Sequence, residues 1–86
     1  MKKKVFTNIA KLVKEARLKK GLSQTELSSL LGYKNGQFIS NVERGLCSVP
    51  VEKMGVLMTV TGVDGISIQK ALVEDLNLSI KPFISQ

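Results

Sequence analysis

Gln37, Ser40, Asn41 and Arg44 surround the apolar pair Ile39 and Val42 in one short stretch of the chain. If this stretch is helical, Ile39 and Val42 at i, i+3 face inward. The four polar side chains then lie largely on the other side, with Gln37 and Asn41 stacked at i, i+4. An Asn or Gln amide carries a donor and an acceptor side by side, the pattern that adenine N6 and N7 present in a DNA major groove. Arg44, with Lys34 just upstream, adds positive charge suited to phosphates. Taken singly, such amides are equally well read as solvated helix residues. Their clustering points to a nucleic-acid edge.

The neighbouring sequence supplies the elements that would hold such a helix in place. Ser23-Gln24-Thr25-Glu26 is a capping box, Leu27, Leu30 and Leu31 form a short apolar stripe, and Gly32 ends it. Asn35 and Gly36 are turn-prone and open the next helix, which Gly45 closes. Upstream, Ile9, Leu12, Val13 and Ala16 mark a helix from Thr7 to about Lys20, stopped by Gly21. Downstream, Pro50 suits the first turn of a fourth helix with Val51, Met54, Leu57 and Met58 inward, ending near Gly62. Asp64 can cap a fifth helix, whose Ile68, Ala71, Leu72 and Leu76 repeat at helical spacing. From Asn77 to Gln86, Leu78 and Ile80 alternate with polar neighbours and Pro82 opposes a continuing helix. The spacing therefore predicts an all-α, five-helix single domain over 1–86 with an extended or unstructured tail at 77–86.

Charge is divided unevenly in this chain of 86 residues. Of the net +6, residues 1–45 carry +7 and residues 46–86 carry −1. Solvated lysines explain a modest net charge but not its confinement to one half, so the amino-terminal half is the face expected to meet a polyanion. There is no histidine, no metal-ligand spacing and no phosphate-cradling glycine loop, and so no catalytic residue, metal or cofactor is expected. Cys47, the single cysteine, reads as a passive thiol rather than an oxidant sensor. With no apolar run of membrane-spanning length, a cytoplasmic protein is expected, on the nucleoid when DNA-bound.

Three segments together carry a family resemblance: Gly21-Leu22-Ser23-Gln24-Thr25-Glu26-Leu27, then Leu31-Gly32, then Ile39-Ser40-Asn41-Val42-Glu43-Arg44-Gly45. They resemble the lambda-repressor and Cro-type (XRE-type) helix-turn-helix family over about residues 9–76, with the helix-turn-helix itself at 23–44. The resemblance implies a compact lambda-repressor-like fold whose second and third helices dock on double-stranded DNA. It also implies that Gln24 holds a phosphate and braces the reading helix, and that Arg17 and Glu43 form an ion pair tying the first helix to the third. One departure stands out. Six residues, Tyr33 to Phe38, separate Gly32 from Ile39, where the commonest family pattern has five. Counted from Gly32, Asn35 takes the first base-reading position; counted from Ile39, Gly36 does. Phe38 is assigned to core packing ahead of contact with a thymine methyl.

These readings converge on a sequence-specific transcriptional regulator, a repressor binding a palindromic operator as a homodimer. The DNA-binding residues expected are Gln24, Lys34, Asn35, Gln37, Ser40, Asn41 and Arg44. Lys2, Lys3 and Lys4 form either a DNA-tracking arm or a tail without fixed contacts. The nearly neutral final third offers Ile68, Leu72, Leu76, Leu78, Ile80 and Phe83 for dimerisation, more apolar residues than a small core needs. The alternative function is a protein-interaction module of the same fold, an antitoxin or co-regulator with a partner not identified by the sequence.

Overall fold

Residues 6–84 are described by the computed structural model, with side chains as far as residue 77. The first helix, α1, spans Thr7–Lys19 and buries Ile9, Ala10, Val13 and Arg17 along one side. Leu12 and Ala16, expected on the same stripe, are half-buried at its edge. Gly21 takes φ +72° after the helix, and the Leu22 N–H returns to the Arg17 carbonyl at 3.1 Å. That left-handed turn closes the helix end and sends the chain back toward α2.

The second helix, α2, covers Gln24–Leu30 behind a complete capping box. Ser23 Oγ accepts from the Glu26 N–H at 2.9 Å, and Glu26 Oε1 accepts from the Ser23 N–H at 2.8 Å. The third, α3, covers Gln37–Glu43. Leu27, Leu31, Ile39 and Val42 are all at most 2% exposed and pack together between the two helices. A buried hydroxyl adds a polar tie, since Ser28 Oγ accepts from the Ile39 N–H at 3.2 Å. That bond satisfies a donor in the first turn of α3, where no intrahelical partner exists.

The fourth and fifth helices are α4, Val51–Thr61, and α5, Gly65–Ile84. Pro50 stands at the α4 N-cap, just outside the helix rather than in its first turn. The inward face of α4 is set by Leu57 and Thr61, with Met54 and Met58 partly buried. Val51, expected inward, is 86% exposed because it lies roughly 120° around the helix from Leu57. Asp64 Oδ1 accepts from the Ser67 N–H at 2.6 Å and starts α5.

Two expectations for α5 need correction. Its core stripe runs Ile68, Ala71, Asp75 at i, i+3, i+7, so Asp75 is buried and Leu76 is 57% exposed. The segment expected as an extended or unstructured tail is instead helical up to Ile84. Proline removes only its own N–H and crowds one carbonyl a turn earlier. At Pro82, with the helix already built behind it and two residues from its end, that penalty is local. No strand occurs among the described residues.

Candidate nucleic-acid interface

The α2–α3 connection decides which side chain α3 presents first. Asn35 Oδ1 accepts from the Gln37 N–H at 2.9 Å, so this side chain is used in starting the helix. Gly36 lies so close to α2 that a Cβ there would come within 2.8 Å of Thr25 Oγ1 and 3.2 Å of the Thr25 nitrogen. The extra residue of the turn is absorbed by this arrangement: Asn35 bonds the Gln37 N–H, Gly36 takes the N-cap position against α2, and Gln37 is the first residue of α3 with its side chain outward.

Gln37 Nε2 donates to Asn41 Oδ1 at 2.9 Å on the exposed face of α3. The two amides therefore form a couple, one turn apart, with Gln37 Oε1 left as acceptor and Asn41 Nδ2 as donor. Ser40 and Asn41 are half-buried, while Lys34 and Arg44 are exposed at opposite ends of α3. All these groups belong to the turn and a single short helix.

Behind this face, Arg17 of α1 reaches Glu43 of α3. Arg17 Nε donates to Glu43 Oε2 at 2.6 Å and Nη2 to Oε1 at 3.0 Å, while Nη1 donates to the Leu22 carbonyl at 2.8 Å. Gln24 Nε2 donates to Glu43 Oε1 at 3.0 Å, which places Gln24 in the brace between α2 and α3. The side chains of Arg17 and Glu43 are 10% and 4% exposed. Hydrogen bonding to Glu43 holds the Arg17 guanidinium pKa above its ordinary value against the opposing effect of burial, and the carboxylate charge adds to it. Three helices thus meet at one carboxylate.

Phe38 stacks on Tyr33, ring centroids 4.0 Å apart and planes within 10°, and Lys53 Nζ lies 5.4 Å from the Tyr33 ring centre. The contact joins the turn to α3 and to α4 and also packs against the core. Sequence reading placed Phe38 in the core but missed its ring partner, although Tyr33 sits five positions away across a turn. Cys47 is half-buried, and burial pushes its thiol pKa up, away from the reactive thiolate.

A helix-turn-helix family model matches residues 13–65, more than half of the chain. The chain belongs to the XRE-type helix-turn-helix family. It is accordingly a DNA-binding transcription regulator. Among solved structures it is similar to the wild-type restriction-modification controller protein C.Esp1396I, with a TM-score of 0.61 and 19% identity, covering 84% of this chain and 91% of that one. A tyrosine-to-phenylalanine mutant of the same controller protein gives a TM-score of 0.63 and 22% identity, covering 88% and 96%. At these identities the likeness concerns the fold. No curated protein sequence matches the chain.

Within this helix-turn-helix regulator, the remaining expected site residues are scattered. Lys2, Lys3 and Lys4 lie outside the described residues, as do the side chains of Leu78, Ile80 and Phe83. Ile68, expected at a dimer contact, is 5% exposed and belongs to the protein's own core. Leu72 is half-buried and Leu76 exposed; both line an apolar groove of about 380 Å³ between α4 and α5, with Met54, Met58 and Val73. Among the described residues no helix is long and apolar enough to cross a membrane, and no group of His, Cys, Asp and Glu could hold a metal ion.

Proposed function

We propose that this regulator is a sequence-specific repressor that binds a two-fold symmetric operator as a homodimer, with α3 in the major groove. The observation that carries the reading is the Gln37–Asn41 couple on the exposed face of a helix held by a buried ion pair. The couple offers one donor and one acceptor outward. Adenine answers with N7 and N6–H, whereas guanine offers two acceptors and would leave Gln37 Oε1 without a donor. Losing a partner in a desolvated interface costs about 1–3 kcal/mol, enough to favour adenine.

Ser40 and Arg44 complete the reading face, and Lys34 and Arg44 meet flanking phosphates. Gln24 uses one N–H of its amide on Glu43, and the second is suited to a phosphate. Asn35 contributes by setting the start of α3, with its amide nitrogen available to the backbone of the duplex. Lys2, Lys3 and Lys4, which lie outside the described residues, either add a DNA-tracking arm or make no fixed contact. Occupying a promoter would then repress by steric exclusion.

The homodimer reading rests on a second stripe of α5. Ile66, Gln69, Val73 and Leu76 recur at i, i+3, i+7 and i+10, and Ile66, Val73 and Leu76 are 68%, 49% and 57% exposed. Pairing through this stripe and the adjoining groove would set two reading helices in successive major grooves, with half-sites ~10–10.5 base pairs apart. Leu78, Ile80 and Phe83, whose side chains lie outside the described residues, are the further apolar residues proposed for dimerisation. Sedimentation of the full chain and of a deletion of residues 78–86, with and without operator selected from random DNA, tests this. A full chain that stays monomeric at tens of micromolar and binds one half-site as tightly as a palindrome contradicts the dimer. Retention of no DNA fragment at low or moderate salt contradicts the operator reading and favours the interaction-module alternative.

A further inference from the structure

The helix that carries the brace, α1, has no cap of its own. Its N-cap residue, Phe6, supplies no side-chain acceptor, and the acceptor comes from α5 instead. Asp75 Oδ1 accepts from the Asn8 backbone N–H at 2.7 Å and from Asn8 Nδ2 at 3.0 Å, and Oδ2 accepts from the Ile9 N–H at 3.0 Å. Asp75 is 2% exposed. Its carboxylate therefore performs the capping role from the far end of the sequence, where free N–H groups and the helix dipole favour negative charge.

The same turn of α1 is fastened on its other side to α3. The Phe6 N–H donates to the carbonyl of Gly45, just beyond the end of the reading helix, at 3.2 Å. Helix α1 packs extensively against both α5 and α3, while α3 and α5 share no comparable contact. The first turn of α1 is thus a joint between the helix expected to assemble and the helix expected to read.

We propose that Asp75 is a positioning residue for DNA binding: by capping α1 from α5, it makes the seating of α3 depend on α5 being docked. If α5 shifts, two backbone donors at the start of α1 lose a charged acceptor, which is worth more than a neutral one. The first turn of α1 then frays, the Phe6–Gly45 bond goes with it, and the carboxy end of α3 loosens. The coupling is reciprocal, so DNA that orders α3 also favours the docked α5. Only the DNA arm of this inference rests on the operator reading above.

The test is Asp75→Asn in the full chain, which preserves shape but turns an amide N–H toward donors of α1. Amide hydrogen exchange and DNA affinity are measured where the variant is fully folded. Exchange is expected to rise about tenfold or more at Phe6, Asn8, Ile9 and residues 44–46, with Leu27 and Leu31 of α2 unchanged, and affinity for selected operator to fall roughly tenfold. A uniform rise at all amides, or wild-type rates at residues 44–46, overturns the proposal and leaves Asp75 with a purely structural role. If Asp75→Asn does not fold, Asn8→Ala, which removes one of the three bonds, must give the same pattern at lower amplitude; wild-type rates at residues 44–46 in that variant also overturn it. If the wild-type chain binds no DNA, the operator reading fails separately, and the exchange pattern alone decides the joint.

Discussion

Arg17 and Glu43 join the first and third helices by a two-pronged ion pair, 2.6 and 3.0 Å, shielded from solvent on both sides. Neither residue faces outward, so under the proposed reading the pair would act on DNA through the orientation of α3. Its remaining capacity is spent locally: Arg17 holds the Leu22 carbonyl, and Glu43 accepts from Gln24. Burial of two charges is costly in itself, and this geometry offsets that cost by satisfying their hydrogen bonds within the protein.

Removing either partner alone leaves a buried charge without its counter-ion, so Arg17→Ala and Glu43→Ala should each destabilise the fold by ~3–5 kcal/mol. The double variant should lose less than their sum. A denaturant-unfolding cycle measures the coupling, and additive losses would show that the pair contributes nothing as a pair.

Gly36→Ala should destabilise by ~1–3 kcal/mol through overpacking, because the new methyl would meet both the Thr25 hydroxyl and its backbone. Thr25→Ala in the same chain removes the hydroxyl contact at 2.8 Å and should restore part of the loss. A thermal melt of Gly36→Ala matching wild type would mean that α3 does not approach α2 this closely.

Legibility followed range along the chain. The capping box at Ser23–Glu26 is written in four adjacent residues and could be read directly, as could the helix ends at Gly21, Gly32 and Gly62. Asp75 could not, because its partners Asn8 and Ile9 lie more than sixty positions away. Nothing in the sequence marks Ser28, whose hydroxyl is buried and bonded only because the fold sets the Ile39 N–H against it. For Val51 and Leu76 the apolar residue type suggested burial, but the helix phase set by Leu57 and by Ile68 turned each away. Ile68 shows the converse: an apolar surplus counted from composition does not say which of its members the core takes. The turn residue in excess was visible in the sequence, but its consequence, Asn35 bonding the Gln37 N–H while Gly36 packs on Thr25, depends on how closely α3 approaches α2.

The Ser23–Glu26 box also makes a pH prediction. Hydrogen bonds from the Ser23 backbone N–H and hydroxyl hold the Glu26 carboxyl pKa below its ordinary value. A depressed folded value means stability that is present above the unfolded pKa, near 4.3, and is lost as pH falls through the folded one. Titration by NMR should show a low Glu26 pKa in wild type that rises only in part in Ser23→Ala, which loses the hydroxyl but keeps the backbone N–H. The same low value in both proteins would remove the hydroxyl as a cause and leave the Ser23 backbone N–H as the source of the shift.

Lys34 and Arg44 flank α3 as exposed cations, proposed as phosphate contacts, with Arg44 also proposed for the reading face. Lys34→Ala should therefore weaken specific and random DNA alike and reduce the slope of log affinity against log salt by about one. An unchanged slope would remove Lys34 from the phosphate contacts.

Base reading by α3 is tested most directly by comparing Gln37→Ala, Asn41→Ala and the double variant on selected operator and on random duplex. Each single change should weaken operator binding by ~1–3 kcal/mol and leave random-duplex binding nearly unchanged. Because Gln37 Nε2 is bonded to Asn41 Oδ1, the double variant should lose less than the sum of the two. Equal losses on operator and random DNA, or none on either, would contradict the account.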